Sequence, residues 1–241
     1  MNIRFKLEGK FNMRGKLIVI EGTECSGKVT QAKLLTDKLT KENISVKRLS
    51  FPAYDTPTGR VVGACYLGKE ELCQKYLKTN GWFEEGPTEV DGLVSSLYYA
   101  ADRKYNIDKV EELLKKGVNV ILDRYTFSNM AYQGGKIKTQ EERFNFFKKM
   151  EVLEFDLLGL PKPDLVILLY VPYQVSLKLK STSQEQLSVN KEHLKLAEQT
   201  YLELRALYKF KMIECTCDNE MRTINDIHTE VSETVLEYLK Q

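Results

Sequence analysis

Apolar positions along the chain switch between two rhythms. Short, nearly unbroken apolar runs at residues 16–21, 46–49, 118–122, 164–170 and 211–215 read as buried strands. Between them, apolar residues recur at spacings of three and four, the helical rhythm. Residues 31–39 put Ala32, Leu35 and Leu39 on one face. A helix opened by Asn106 carries Val110, Leu113 and Leu114, with Lys115 and Lys116 in its last turn and Gly117 as its stop. The stretch 142–157 is expected to bury Phe147, Met150 and Leu157. Residues 191–208 line up Leu194, Ala197, Tyr201, Leu204 and Tyr208, and 223–239 turn Ile224, Ile227, Val231 and Val235 inward. Strands separated by helices predict an α/β fold: a five-stranded parallel sheet flanked by helices on both faces. Ligands of such sheets sit at the carboxyl ends of the strands. There is no internal repeat and no low-complexity linker. Residues 15–241 read as a single domain behind a mixed-charge tail, 1–14.

The first run leads into Gly22-Thr23-Glu24-Cys25-Ser26-Gly27-Lys28-Val29-Thr30-Gln31. Gly-x4-Gly-Lys between a strand and a helix is the phosphate-binding loop pattern. The glycines let the backbone turn so that successive N–H groups meet phosphate oxygens, and the following helix N-terminus adds a favourable dipole. Residues Gly22 to Thr30 are the expected phosphate-binding set, with Lys28 reaching the terminal phosphates. The residue after the lysine ordinarily carries a hydroxyl for Mg²⁺, and here it is Val29. The competing reading of the stretch is an ordinary tight strand-to-helix turn.

Bulk composition narrows the function classes. With 241 residues, 42% of them hydrophobic, the chain can bury one sizeable core. Lys+Arg 36 against Asp+Glu 34 gives a net charge of +2, which argues against a nucleic-acid-coating surface. No apolar run approaches the roughly eighteen residues of a membrane span, and no signal peptide is visible. Cys25, Cys65, Cys73, Cys215 and Cys217 form no C-x-x-C pair, and with two histidines a zinc site is not expected. Reduced thiols in the cytoplasm are the simplest reading.

Asp123-Arg124-Tyr125 closes the third strand run. There Asp123 can hold Mg²⁺, directly or through water, and Arg124 can fork onto a phosphate. The same dipeptide also fits a structural ion pair. Tyr99 and Arg103 share a helix face, as do Asn129 and Tyr132. Either pair can serve a nucleotide base: an aromatic to stack or wall off, an amide or guanidinium to hydrogen-bond. Core packing beside a solvated arginine, or helix capping, would explain the same spacings.

Taken together, several motifs resemble the thymidylate kinases of the P-loop nucleoside monophosphate kinase group. The resemblance runs from Lys16 almost to the C-terminus. It rests on Glu21-Gly22-Thr23-Glu24, Gly27-Lys28, Thr30-Gln31, Phe51-Pro52, Ala101-Asp102-Arg103, Asp123-Arg124-Tyr125, Ser128-Asn129, Ala131-Tyr132 and Gly159-Leu160-Pro161-Lys162-Pro163-Asp164. It implies a P-loop kinase fold with a short lid at about 172–192. The implied reaction is transfer of the ATP γ-phosphoryl to dTMP with Mg²⁺, giving dTDP for dTTP synthesis. It further implies that Glu24 approaches the sugar 3′-hydroxyl, Tyr99 stacks on thymine and Arg103 bonds its O4. Arg124 would hold the acceptor phosphate, Asp123 would be the metal-linked acid, and Asn129 would lie near the ring. Tyr132 would exclude a 2′-hydroxyl, and Phe51 would wall the base pocket. Lys28, Glu24, Arg124 and Asp123 are the expected catalytic set. Family members are usually homodimers.

Three positions depart from the family pattern. Val29 replaces the Ser or Thr, and Tyr54 stands where an arginine often helps hold the acceptor phosphate. Cys25 leaves no arginine in the loop, and residues 172–192 contain none either. The lid's basic candidates are Lys178 and Lys180, which supply charge without a bidentate fork. An acceptor that is already an anion needs no general base, consistent with the scarcity of histidine. Two other readings remain open at this level. A deoxynucleoside kinase would need a base near a 5′-hydroxyl, for which Glu24 is the one weak candidate. A nucleotide-binding protein that has lost catalysis would fit Val29 and the arginine-free lid.

Overall fold

The computed structural model describes residues 13–69, 71–72, 82–83, 86–182 and 191–241. Residues 1–12 of the expected tail, Cys73, and residues 183–190 of the expected lid lie outside the described residues.

The chain opens with β1 (Leu17–Gly22), α1 (Lys28–Lys41) and β2 (Val46–Ser50). The short helix α2 (Pro57–Arg60) runs straight into a π-helical turn, Val61–Tyr66. Next come α3 (Gly92–Lys115), β3 (Asn119–Asp123), α4 (Thr126–Gly134) and α5 (Gln140–Glu151). A second π-helical turn, Val152–Leu157, leads to β4 (Leu165–Tyr170) and α6 (Tyr173–Thr182). The chain closes with α7 (Lys191–Tyr208), β5 (Lys211–Glu214), the hairpin β6 (Thr216–Cys217) and β7 (Glu220–Met221), and α8 (Ile224–Leu239).

Strands β2-β3-β1-β4-β5 form the expected five-stranded sheet, and each neighbouring pair is parallel. Side chains alternate across a strand, so the central β1 feeds both faces. Ile18 and Ile20 meet Ala32, Leu35 and Leu39 of α1 and Ile227, Val231 and Val235 of α8. Leu17 and Val19 meet Ile107, Val110 and Leu114 of α3. Farther along that second face, Leu168 packs on Phe147 and Met150 of α5 and Tyr201 and Leu204 of α7. All six residues of β1 are buried, which is why this strand reads as an apolar run broken only by Glu21.

Three expectations need correction. Asn106 does not open a helix. It lies inside α3, where its amide donates back to the Asp102 carbonyl at 2.8 Å and to Asp102 Oδ1 at 3.0 Å. The cap is Asp91, whose side chain accepts from the backbone N–H groups of Leu93 and Val94. The helix expected over 142–157 changes pitch after Glu151. The π-helical turn swings Leu157 out to 73% exposure and turns Glu154 and Phe155 inward. Ile224, the first residue of α8, is 57% exposed rather than inward. The hairpin β6–β7 goes beyond the sequence expectation. Its turn residues Asp218 and Asn219 have φ of 51° and 61°, the left-handed pair that tight hairpins favour.

Candidate functional site

The loop after β1 is held by its own strand neighbours. The Thr23 backbone N–H donates to the Leu169 carbonyl, its hydroxyl donates to the Val171 carbonyl at 2.8 Å, and it accepts from the Val171 N–H at 2.8 Å. Ser26 Oγ donates to the Thr23 carbonyl at 2.8 Å. Cys25 and Gly27 take φ of 58° and 75°, left-handed values that fold the backbone into a concave nest. At Gly22 a Cβ would stand 2.4 Å from Ser26 Oγ and 2.7 Å from the Leu169 carbonyl oxygen, so only glycine fits there. Thr30 and Val29 lie on the exposed first turn of α1, with Val29 at 62% exposure.

Lys28 is 7% exposed. Its ammonium folds back onto the loop, donating to the carbonyls of Gly22 (3.1 Å) and Thr23 (2.8 Å) and to Ser26 Oγ (3.3 Å). Burial and the nearby Arg124 charge pull its pKa down to about 7, against the attraction of Glu24, Asp123 and Glu21.

Arg124 follows Asp123 at the end of β3. Its φ of 67° is unusual for a residue with a side chain and turns the chain sharply into α4. Its N–H continues the sheet ladder to the Ile20 carbonyl at 3.1 Å. The guanidinium donates to Ser128 Oγ at 3.3 Å and lies 5.5 Å from the Tyr132 ring centroid. Asp123 is 6% exposed; burial pushes its carboxyl up, opposed by Arg124, Lys28 and Arg48. Beneath both sits Glu21, fully buried. Its carboxylate accepts from the N–H groups of Tyr125 (2.9 Å) and Ser128 (3.1 Å), from Ser128 Oγ (2.5 Å) and from the Tyr201 hydroxyl (3.1 Å). Sequence reasoning gave Glu21 no role. Its signal was a carboxylate inside an otherwise apolar strand.

Glu24 joins the loop to α6. Its carboxylate accepts from the Tyr132 hydroxyl at 2.9 Å and pairs with Lys180 at 3.2 Å, while Ser176 Oγ donates to its backbone carbonyl at 2.7 Å. Burial alone would raise its pKa, but Lys28, Lys180, Arg124 and the Tyr132 hydrogen bond hold it at about 2. Lys178, two residues earlier on α6, is exposed.

A cavity of about 380 Å³ opens beside Glu24 and Arg124. Glu24, Phe51, Tyr99, Arg103, Arg124, Asn129 and Tyr132, the sequence-predicted acceptor set, all line it. Tyr99 stands edge-on to Tyr66, ring centroids 5.7 Å apart. Arg103 and Asn129 meet the buried Glu154 at the cavity's inner end. Asp102 shapes the rim from behind: it accepts from the Ala53 N–H at 2.9 Å and from the Thr58 hydroxyl at 2.8 Å, fixing the loop after Phe51. Tyr54, in the place of the family's arginine, lines the same cavity with Lys69 Nζ 4.1 Å from its ring centroid. Tyr66, Gln133, Lys136 and His193 also line it and escaped the sequence reading. Tyr66 reaches it from the π-helical turn of 61–66, and His193 from the start of α7, where it stacks on Tyr132 at 5.7 Å. Gln133 alone left a usable signal, one helical turn beyond Asn129.

Among the described residues no cluster of three or more His, Cys, Asp or Glu could hold a metal ion. Asp123, at the end of β3, offers a hard carboxylate oxygen of the kind Mg²⁺ takes. Also among the described residues, no helix is long and apolar enough to cross a membrane.

A loop of P-loop pattern after β1, an arginine after the adjacent β3 and a cavity beside both are the arrangement of a P-loop nucleoside monophosphate kinase. Comparison with known proteins makes this specific. The family model described as thymidylate kinase matches residues 20–231. The thymidylate kinase of Plasmodium falciparum is 30% identical over 222 residues, covering 92% of this chain and 90% of that protein. A probable thymidylate kinase of Methanocaldococcus jannaschii is 32% identical over 214 residues, covering 89% and 92%. The solved structure of the Candida albicans thymidylate kinase superposes with a TM-score of 0.65 at 26% identity, covering 93% of this chain and 92% of that one. The chain belongs to the thymidylate kinase family.

Proposed function

We propose that the two halves of the site divide the substrates: the loop Gly22–Thr30 cradles ATP phosphates, and the cavity beyond Arg124 takes dTMP. As a member of its family, the enzyme phosphorylates dTMP to dTDP with ATP as donor. One observation carries the division of labour. Seven residues chosen from the sequence, contributed by five separate segments, line one cavity that meets the loop at Glu24 and Arg124.

The chemistry is positioning and charge neutralisation. Lys28 leaves the loop carbonyls for the β- and γ-phosphates. Arg124 forks onto the acceptor phosphate and holds it facing the donor. Phe51 and Tyr99 sandwich the base, Arg103 meets its O4, and Asn129 its edge. Glu24 and Tyr132 bound the sugar, leaving room for the 3′-hydroxyl and none for a 2′-hydroxyl. Lys180, and Lys178 behind it, supply lid charge in place of the missing arginine, and the lid of about 172–192 excludes water. Mg²⁺ supplies charge neutralisation when bound, with Asp123 as its anchor and Val29 contributing nothing. Glu24, held at about 2, is far too weak a base to activate a nucleoside hydroxyl, which disfavours the deoxynucleoside kinase reading. Residues 15–241 act as one cytoplasmic unit, a homodimer by family resemblance, with dTMP and ATP rather than nucleic acid or membrane as partners.

A coupled assay of ADP release tests this. Turnover is expected with dTMP and ATP and not with thymidine. Turnover of thymidine in preference to dTMP would overturn it.

A further inference from the structure

The strongest unassigned feature is a carboxylate that reaches no solvent. Glu154 is fully buried and does not line the cavity. It lies in the π-helical turn Val152–Leu157, on the face that Met150 and Phe147 bury one and two helical turns earlier, while Val152 and Leu157 stand outward at 49% and 73% exposure.

Its two oxygens engage two cavity residues. Arg103 Nε donates to Oε2 at 2.6 Å and Nη2 to Oε1 at 2.5 Å, a bidentate fork with Arg103 itself 2% exposed. Asn129 Nδ2 donates to Oε1 at 3.4 Å. A carboxylate only accepts hydrogen bonds, so this contact fixes which end of the Asn129 amide is nitrogen. Asn129 Oδ1 is then left buried without a partner. The fork likewise occupies one edge of the guanidinium and leaves Nη1 for the cavity. A single buried group thus holds a donor and an acceptor in fixed order at the inner end of the cavity.

We propose that Glu154 is a positioning residue that sets the polarity of the base-reading edge, presenting Arg103 as donor and Asn129 Oδ1 as acceptor. That order complements a 4-oxo, N3–H pyrimidine and opposes a 4-amino, N3-acceptor one. The inference rests on the reading of the cavity as the dTMP site. It explains why a buried ion pair, costly to desolvate, stands where an apolar contact would pack as well.

The test compares Glu154→Gln and Glu154→Asp with the unaltered enzyme, using dTMP and dCMP as acceptors. Gln keeps the volume but can donate to Asn129 and no longer anchors the arginine charge. Asp keeps the charge but withdraws it by one methylene. For Glu154→Gln we expect the KM for dTMP to rise about tenfold, with the KM for ATP within about twofold. Preference for dTMP over dCMP should fall about tenfold, and Glu154→Asp should fall in between. Unchanged preference in whichever variant folds overturns the proposal. So does a uniform loss of kcat with both KM values intact, and so does failure of both variants to fold, each of which marks a merely structural pair. If the unaltered enzyme does not turn over dTMP, it is the reading of the cavity that fails.

Discussion

Lys180 Nζ stands 3.2 Å from Glu24 Oε1, so α6 is fastened to the loop that follows β1. The ion pair is partly exposed, at 28% and 29%, and adds little stability by itself. If that loop cradles the donor phosphates, the pair keeps a cation within their reach. Lys180→Ala should lower kcat by about ten- to a hundredfold, below the contribution of a true arginine finger. Lys180→Arg should retain or raise it. Lys178→Ala, on the exposed side of α6, should stay within about threefold. Steady-state kinetics at saturating substrates decide between them.

Burial and the nearby Arg124 charge pull the Lys28 pKa down to about 7, well below its ordinary 10.5. Phosphate oxygens stabilise the ammonium, so ATP binding at pH 8 should take up protons, and affinity should weaken as pH rises above 7. Calorimetry in two buffers of different protonation enthalpy measures the uptake, and Lys28→Met should abolish it together with phosphoryl transfer. The stability consequence has a definite sign. Between about 7 and 10.5 the unfolded chain holds a proton that the folded chain has released, so this group makes stability rise with pH across that window.

Val29 projects at 62% exposure from the first turn of α1. If phosphates, water and Asp123 suffice for Mg²⁺, Val29→Thr should change the Mg²⁺ concentration for half-maximal rate by less than about twofold. Asp123→Asn should raise it by at least about tenfold. A large gain from the threonine would mark the valine as a defect.

Asp102 accepts hydrogen bonds from Ala53, Thr58 and Asn106 while 1% exposed. Asp102→Ala takes this acceptor from the Ala53 N–H and the Thr58 hydroxyl, while the Asn106 amide keeps the Asp102 carbonyl. A loss of about 2–3 kcal/mol is expected, equivalent to about 5–10 °C in Tm for a chain of this length. The KM for dTMP should rise with it, because Phe51 and its loop lose their tether.

Much of the fold was legible in the chain because buried parallel strands leave nearly unbroken apolar runs, as β1 and β4 do. Helices with one stripe, such as α1 and α7, were legible for the same reason. The errors fall where local chemistry was overridden by neighbours. Asn106 looks like a cap but bonds back to Asp102 within a long helix, and the 3.6-residue rhythm cannot register a π-helical turn, which cost Leu157. At the site, the residues carried by short motifs were found. Those delivered by tertiary packing, Glu154, Tyr66 and His193, were not, because nothing in their immediate sequence distinguishes them from ordinary core or surface positions, whereas Glu21 stood out as a carboxylate in an apolar strand.

The pairing of Ile20 with Asp123 across β1 and β3 has one more consequence. The loop after β1 and Arg124 leave the sheet from adjacent strands, and Glu21 bolts the two exits together by accepting from the Tyr125 and Ser128 N–H groups. If the loop holds the donor phosphates and Arg124 the acceptor phosphate, the backbones that carry the two clamps start one interstrand spacing apart, about 4.8 Å. The backbone serves as the enzyme's ruler. Side-chain changes on either rim can alter which nucleotides enter, yet the backbone spacing from which the two rims start is set by ladder hydrogen bonds that no such change touches.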